Sequence, residues 1–431
     1  MKRPFGNMYD SFSLFSSTTD EITHMSAGVN WIPASGAIKR IVSFEIEHDI
    51  SYRNYGRSSG AKVVTDIVSF SERKIVGSRE KISATLSNGG CDGVSIILSM
   101  LKKDGFINNG DNALMLGHSF PFYENLSTEF NFNYNEISTD SFHLPSLKLV
   151  ELEIKKARPK LLFILIPHNP SGEIKSECYY ASIIETCKLN NVKIILDRVC
   201  MMLWDYKPDL LRIFYNGILS GSVFVVDSLS KSDSLAGMRL GYILSAINYE
   251  KALLNEVQNR YLNPTVFSSP ALAFCKLASL SYFTGVKYHR FLALILRFYK
   301  KKIWRDYTSD YKVNFNEEFF SSLFSEYSEQ IKKCKERIDN NFSLLTKSVV
   351  NNEFMLDGGF NVLLCLPSMR ADEESIDQYN LLTKKKIAVL TTSSFTIKDG
   401  YKLYYIRLGL TIPEDEFEHG LNQILSYYSS K

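Results

Sequence analysis

Short apolar runs alternate with amphipathic stretches along the middle of the chain. A strand covered on both faces is apolar at nearly every position, whereas a surface helix is apolar at every third or fourth position. Five such runs predict buried strands: Ala113–Leu116, Leu161–Ile166, Lys193–Leu196, Val223–Val226 and Leu240–Leu244. Two stretches between them, Gly93–Lys103 and Cys178–Asn190, have helical spacing. This alternation predicts an α/β fold in which helices cover a mostly parallel sheet.

The pattern changes after Pro270. Residues 271–349 carry aromatic, lysine and glutamate side chains at helical spacing. The elements predicted beyond them are a strand at Gly358–Leu364, a strand at Leu403–Leu408 and a helix at Glu414–Tyr428. A chain of 431 residues has room for two domains. We expect a large domain of residues 46–282 and a smaller α+β domain of residues 1–45 and 283–431.

Polar residues lie just after three of the predicted strands. These are the segment His168–Glu173, the single residue Asp197 and the segment Asp227–Lys231. In an open α/β sheet, ligands bind at the carboxyl ends of the strands. The sequence therefore predicts one active site built from these three segments.

Composition and charge argue against several classes of ligand and binding partner. The formal net charge is only +3, so nothing favours nucleic acid or an anionic membrane as a ligand. Seven scattered cysteines without a Cys-x-x-Cys pair predict reduced thiols instead of a disulfide framework or a zinc site. No apolar run approaches the roughly 20 residues that span a bilayer. We expect a soluble cytoplasmic protein that binds no metal.

The strongest chemical signal lies after the run Val223–Val226. Ser228-Leu-Ser230-Lys231 is followed by Gly237-Met-Arg239-Leu-Gly241, which gives the string S-x-S-K-x5-G-x-R-x-G. A lysine beside a buried strand can form an imine with an aldehyde cofactor and then carry protons. Ser228 and Arg239 suit a phosphate, because the planar guanidinium donates to two oxygens at once.

This string resembles the cofactor-lysine signature of class I and II aminotransferases, which use pyridoxal 5'-phosphate. The resemblance implies a fold type I large domain with a seven-stranded sheet. It also implies that Lys231 carries the cofactor as an aldimine, and that Ser228, Ser230 and Arg239 bind the cofactor as well.

Further segments resemble family motifs in the same order along the chain. Asn169-Pro-Ser-Gly172 is similar to the family's Asn-Pro-Thr-Gly, whose Asn contacts the cofactor's phenolic oxygen and the substrate. Asp197 matches the aspartate that pairs with the pyridine nitrogen. Gly90 and Cys91, at the start of a helix, match the loop whose backbone N–H groups bind the phosphate. Phe120 takes the place of the aromatic residue that stacks on the ring; a buried core phenylalanine is the alternative.

Two more matches concern the partner subunit and the substrate. Tyr55 and Gly60 are similar to a segment that reaches the phosphate of the neighbouring subunit, which implies a homodimer with shared active sites. Arg407, in the apolar stretch Tyr405–Leu408, matches the arginine that grips the α-carboxylate of the substrate.

Three features depart from the family pattern. Cys200 stands where the family has a tyrosine that hydrogen-bonds the phenolic oxygen. The segment Thr391–Phe395 replaces a Pro-Gly stretch. The region from about residue 282 to 342 is longer than the family needs.

The resulting hypothesis is an aminotransferase that moves an amino group between an amino acid and a 2-keto acid. The same cofactor also supports elimination, replacement and cyclisation, so a specialised lyase or cyclase of natural-product metabolism is the alternative. A non-catalytic amino-acid sensor is a third possibility. Other chemistries lack their motifs, since no HExxH, G-x-S-x-G or Walker sequence occurs.

Overall fold

The computed structural model describes residues 22–47, 62–140, 142–264, 269–286, 317–349, 352, 354–366, 373–398 and 403–430. Tyr55 and Gly60 lie outside the described residues, and so does the middle of the long 282–342 region. The predictions that concern them stay predictions.

Twelve strands and thirteen α-helices occur in the described ranges. The strands are β1 (Thr23–His24), β2 (Ser83–Ser87), β3 (Asn112–Leu116), β4 (Asn133–Ile137), β5 (Leu161–Leu165), β6 (Lys193–Asp197), β7 (Val223–Ser228), β8 (Gly241–Ser245), β9 (Asn361–Cys365), β10 (Ile387–Ala388), β11 (Leu390–Thr391) and β12 (Tyr405–Gly409). The helices are α1 (Gly36–Glu47), α2 (Lys62–Ile75), α3 (Gly90–Lys103), α4 (Phe122–Phe130), α5 (Leu147–Ala157), α6 (Glu177–Leu189), α7 (Pro208–Leu219), α8 (Leu229–Ser232), α9 (Glu250–Tyr261), α10 (Ser269–Thr284), α11 (Glu317–Ser348), α12 (Glu374–Lys385) and α13 (Glu414–Ser429).

Seven strands form one sheet of order β2-β8-β7-β6-β5-β3-β4. The pairs β4/β3, β3/β5 and β5/β6 are parallel, whereas β8 runs antiparallel to both β2 and β7. The predicted α/β fold with a mostly parallel seven-stranded sheet is therefore confirmed. All five predicted strands of this sheet are present, with ends shifted by one or two residues.

Two strands of the sheet carry no clear signal in the sequence. β2 is buried throughout, yet three of its five residues are serine or threonine. β4 lies at the sheet edge and begins with the polar residues Asn133, Tyr134 and Asn135, which are at least partly exposed. An apolar run is the mark of a strand covered on both faces, so neither segment shows it.

The described residues fall into two compact units. Unit 1 holds the described parts of Met1–Ile32, Leu101–Asp205 and Cys334–Lys431, and unit 2 holds those of Pro33–Met100 and Tyr206–Lys333. Unit 1 contains the parallel strands β6, β5, β3 and β4, and also an antiparallel sheet of order β11-β12-β9. The domain limits at residues 45/46 and 282/283 stay a prediction.

The C-terminal core of unit 1 forms between α13 and the strands β9 and β12. Phe417, Leu421, Ile424 and Tyr428 recur at helical spacing on α13 and are all buried. Three glutamate or aspartate residues occupy its first turn, where the helix dipole favours negative charge. The helix predicted from this pattern is confirmed.

Unit 2 contains a buried network of charged and polar side chains. Lys276 on α10 donates to Glu72 Oε1 at 2.6 Å and to the Tyr242 hydroxyl at 3.0 Å. The Tyr242 hydroxyl in turn donates to Asp227 Oδ2 at 2.6 Å. The side chains of Lys276 and Glu72 are only 4% and 3% exposed. The Lys276 ammonium group thus contacts Glu72 directly and Asp227 through the Tyr242 hydroxyl.

None of the helices in the described ranges combines the length and the apolar character that crossing a membrane requires.

Candidate active site

Lys231 lies in a single helical turn that follows strand β7 directly. Ser228, the last residue of β7, accepts a hydrogen bond from the Ser230 N–H at 3.3 Å and so caps this turn. The Leu229 N–H donates to the Leu240 carbonyl at 3.0 Å, which holds the turn beside the start of β8. Ser228 and Ser230 are buried, whereas Lys231 is half-buried. The lysine therefore sits on a well-fixed backbone with part of its side chain accessible.

The Arg239 guanidinium lies against the turn between β2 and α3. Its Nη2 donates to the Asn88 carbonyl at 3.0 Å, and its Nη1 donates to the Ala236 carbonyl at 3.1 Å. A Cβ atom at Gly89 would come within 2.5 Å of Nη2, and Gly89 has a φ of +90°. Only glycine fits at this position, because a side chain would displace the guanidinium. Arg239 itself is exposed, so its remaining N–H groups can reach a ligand.

The helix α3 begins at Gly90 and Cys91, directly after this turn. The first N–H groups of a helix have no partner within the helix, and the helix dipole adds partial positive charge there. Gly90 is buried, Cys91 is exposed, and both belong to unit 2 together with Arg239. This part of unit 2 thus combines a guanidinium with a helix N-terminus, which is a favourable arrangement for a phosphate.

Asp197, the last residue of β6, is held by a tyrosine far away in the sequence. The Tyr123 hydroxyl donates to Asp197 Oδ2 at 2.5 Å, and the Val199 N–H donates to Oδ1 at 2.9 Å. Tyr123 is fully buried on α4. Both carboxylate oxygens accept hydrogen bonds, which fixes the plane of the group.

Asn169 and Arg407 are brought together inside unit 1. Arg407 Nη1 donates to Asn169 Oδ1 at 2.8 Å, and Nη2 donates to the Ser26 carbonyl at 2.5 Å. The contact orients the Asn169 amide so that its NH2 group is the end available to a ligand oxygen. A Cβ at Gly28 would lie 3.2 Å from Nη2, so the N-terminal segment passes close beside the guanidinium.

Arg407 is a buried cation with no carboxylate partner among the described residues. It is 2% exposed, and none of the described residues accepts a hydrogen bond from its Nε. No carboxylate among the residues that the structure describes forms an ion pair with it. Burial lowers the pKa of Arg407 to about 10, so the side chain stays protonated near neutral pH. A buried arginine in this state favours an anionic ligand.

The loop His168-Asn-Pro-Ser-Gly172 holds Asn169 in place. His168 is buried; its Nε2 faces the His118 carbonyl at 2.8 Å and its Nδ1 faces the Ser171 hydroxyl at 2.7 Å. Burial, and next the nearby charge of His118, lower the pKa of His168 to about 3, so the imidazole is neutral. Gly172 has a φ of +75°, and a Cβ there would be 2.5 Å from the Asn361 carbonyl. This glycine is therefore required for the loop to pack against β9.

Phe120 and Cys200 also lie in unit 1. The Phe120 ring is only partly buried and packs edge-on against Tyr123 at a centroid distance of 5.5 Å. Cys200 is partly buried as well. A partly exposed aromatic ring beside Tyr123 is compatible with stacking on a ligand.

Four of the predicted site residues lie in unit 1, namely Asn169, Asp197, Phe120 and Arg407. The six that lie in unit 2 are Lys231, Ser228, Ser230, Arg239, Gly90 and Cys91. The structure joins Asn169 to Arg407 directly, and its backbone joins Ser228 to Ser230. Sequence reasoning missed the role of Tyr123 as the donor to Asp197 and of Ser26 as a partner of Arg407. Tyr123 lies three residues after Phe120, the predicted stacking residue, whereas Ser26 lies near no predicted site residue in the sequence.

Comparisons with known proteins identify the family and the fold. The model of the family "Aminotransferase class I and II" matches residues 28–280, more than half of the chain. An aspartate aminotransferase of Sulfurisphaera tokodaii is 25% identical over 189 residues, which are 42% of this chain and 45% of that protein. Histidinol-phosphate aminotransferase 2 of Carboxydothermus hydrogenoformans is 28% identical over 186 residues, 41% of this chain and 49% of that protein. The match spans about half the length of each of these relatives.

Solved structures resemble the chain over nearly its whole length. An aminotransferase from Mycobacterium tuberculosis superposes with a TM-score of 0.73 at 18% identity and covers 100% of this chain and 97% of its own. Aspartate aminotransferase from Thermus thermophilus gives a TM-score of 0.71 at 14% identity, with 99% and 97% covered. At 18% and 14% sequence identity, the structural similarity shows the fold alone. The match to the family model shows membership of the family. The chain belongs to the class I and II aminotransferase family.

Proposed function

We propose that this protein moves an amino group between an amino acid and a 2-keto acid, with pyridoxal 5'-phosphate bound covalently to Lys231. The observation that carries the proposal is the string from Ser228 to Gly241, which stands at the end of β7 in a chain of this family. Relatives named aspartate and histidinol-phosphate aminotransferases support transamination over elimination or cyclisation.

The residues present fit this cofactor. Lys231 offers an amine for the aldehyde, and Arg239 with the start of α3 offers donors for the phosphate. The Asp197 carboxylate, fixed by Tyr123, suits a protonated pyridine nitrogen. When bound, the cofactor supplies an electron sink for the bond that breaks at the substrate Cα. Ser228, Ser230 and Phe120 complete the set that we assign to it.

The protein side of the mechanism follows from these side chains. Arg407 binds the α-carboxylate of the substrate through its unpaired Nε–H and a neighbouring N–H, which orients the Cα–H bond. Asn169, held by Arg407, presents its amide NH2 to an oxygen of the ligand. The Lys231 amine would take the proton from the substrate Cα and hold it on Nζ as an ammonium group. Cys200 donates poorly, so Asn169 is the main donor to the phenolic oxygen.

We further propose that the protein acts as a homodimer in which Tyr55 reaches the phosphate of the neighbouring subunit. The family resemblance of the segment around Tyr55 motivates this, and Tyr55 lies outside the described residues. A fully active protein that light scattering shows to be monomeric would contradict it.

The direct test is incubation of the purified, cofactor-loaded protein with a panel of amino acids. At least one amino acid is expected to convert the bound cofactor to pyridoxamine phosphate, and a 2-keto acid to convert it back. Chromatography of the released cofactor measures both half-reactions. Release of ammonia or loss of carbon dioxide with the cofactor unchanged would favour the lyase alternative instead.

Replacing Arg407 with alanine is expected to lower kcat/KM about ten- to a hundred-fold while cofactor content stays normal. The lost charge-assisted contact is worth roughly 1.5–3 kcal/mol, and it lies on the substrate and not on the cofactor. Arg407→Lys keeps the charge without the planar fork, so an intermediate loss is expected. Steady-state kinetics with the best amino acid of the panel measure the effect. Normal kcat/KM in the alanine variant would remove Arg407 from the substrate site.

A further inference from the structure

Glu136, on the edge strand β4, is a buried carboxylate that holds a distant loop. Its side chain is fully buried. Its Oε2 accepts a hydrogen bond from the Thr396 hydroxyl at 2.7 Å, and its Oε1 accepts one from the Ile397 N–H at 3.3 Å. These partners are about 260 residues away along the chain. Burying a carboxylate costs free energy unless its oxygens accept hydrogen bonds, and both oxygens of Glu136 do so here.

His118 lies beside the Glu136 carboxylate in the same cluster. Its Nε2 lies 2.9 Å from the Thr139 carbonyl, which can only accept, so this nitrogen carries a hydrogen. Its Nδ1 lies 3.4 Å from Glu136 Oε2, an ion-pair distance that is not a well-formed hydrogen bond. Both ring nitrogens of His118 therefore face oxygen atoms, those of Thr139 and Glu136. The ring is 3% exposed and stacks on Phe142 at 3.8 Å.

The loop that Glu136 holds covers the substrate arginine. The Phe395 ring, 1% exposed, lies 4.8 Å from the Arg407 guanidinium carbon. The Ser119 N–H donates to the Phe395 carbonyl at 2.9 Å and ties the loop to the segment that ends in Phe120. The guanidinium thus lies over the Phe395 ring at a distance typical of a cation–π contact.

One departure from the family pattern belongs to this cluster, since Thr391–Phe395 replaces the Pro-Gly stretch. Glu136 contacts His118 on one side and Thr396, directly after this segment, on the other.

We propose that Glu136 is a positioning residue for substrate binding: with His118 and Thr396 it holds Phe395 over Arg407 and thereby fixes the guanidinium for the substrate carboxylate. The proposal rests on the proposed function only for the identity of the ligand. Glu136 acts through its contacts with the loop at Thr396 and Ile397, so we expect its effect on carboxylate binding.

Thr396→Val tests this proposal, because the substitution replaces the hydroxyl with a methyl group and keeps the shape of the side chain. It removes the hydroxyl that donates to Glu136, whereas Thr396→Ser keeps it. We expect the valine variant to raise KM for the best amino acid about five- to ten-fold with kcat changed by less than about two-fold, and the serine variant to behave like the parent. A fall in kcat at constant KM, or equal values for all three proteins, would overturn the proposal.

A second readout does not depend on turnover. Phenylglyoxal modifies accessible arginines, and peptide mapping can follow Arg407 alone. We expect faster modification of Arg407 in Thr396→Val and Glu136→Gln than in the parent. Asp377→Asn is the matched control: Asp377 is a buried carboxylate of the same unit that accepts from the Tyr427 hydroxyl at 2.8 Å. It should leave the modification rate of Arg407 unchanged.

The kinetic and the modification measurements distinguish the positioning role of Glu136 from the proposed aminotransferase activity. Faster modification of Arg407 in a protein that converts no amino acid would support the positioning role and contradict the aminotransferase. Unchanged modification in a protein that transaminates normally would refute the positioning role alone. If Glu136→Gln does not fold, Thr396→Val still decides the question.

Discussion

Replacing Lys231 with alanine is expected to abolish turnover and to remove the covalent link between protein and cofactor. The lost amine both anchors the aldehyde and carries the proton at Cα. Loss of a positioned general acid–base alone costs on the order of 10²–10⁴-fold in rate, and the loss of the anchor adds to that. Lys231→Arg keeps the positive charge but cannot form the linkage, so it should be equally inactive.

Borohydride reduction of the loaded protein, followed by peptide mapping, checks this result. In the parent protein the label is expected on the peptide that contains Lys231, and both variants should be unlabelled. The fold should survive, because Lys231 is half-buried at a turn whose backbone is held by Ser228 and Leu240. A label on another lysine of the parent would disprove the assignment of the site.

Replacing Lys276 with methionine is expected to lower the free energy of unfolding by on the order of 3–5 kcal/mol. Methionine fills most of the volume, so the loss comes from charge and not from a cavity. Without the ammonium group, Glu72 and Asp227 remain as buried carboxylates next to Tyr242. Breaking a buried ion pair on one side is costly, because the remaining charge has lost its partner but stays away from water.

Urea unfolding followed by circular dichroism measures this effect. Lys62→Met is a suitable control, since the Lys62–Asp66 pair has a similarly short contact of 2.7 Å but side chains that are 65% and 62% exposed. That variant should change stability by less than about 1 kcal/mol. Adding Glu72→Gln to Lys276→Met should recover part of the loss. Equal stability of the Lys276 and Lys62 variants would show that the buried network contributes little.

The local pattern of the sequence determined much of the fold. The strands β3, β5, β6, β7 and β8 carry apolar runs because both faces of the sheet are covered, and each was predicted within one or two residues of its ends. The string around Lys231 and the order of the other motifs pointed to the family. Arg407 stood out because an arginine inside an apolar strand needs an anionic partner, and the structure shows it buried with no such carboxylate in the ranges that it describes.

The sequence could not reveal features that depend on contacts between distant segments. β2 is rich in serine and threonine, and β4 begins with polar residues, so neither has the apolar run that marks a covered strand. Within β4, Glu136 resembles a solvent-facing residue of an edge strand. Only the packing of the loop at Thr396 against it makes Glu136 a buried residue.

What the sequence by itself determined is therefore the set of residue types and the order of the elements, because periodicity and short motifs act over a few residues. The tertiary structure alone decided that Tyr123 fixes Asp197 and that Phe395 covers Arg407. Tyr123 and Asp197 are 74 residues apart in the chain. Such pairs form only when the strands and loops that carry them pack together. The energy of that packing depends on distant segments, so no local sequence pattern predicts it.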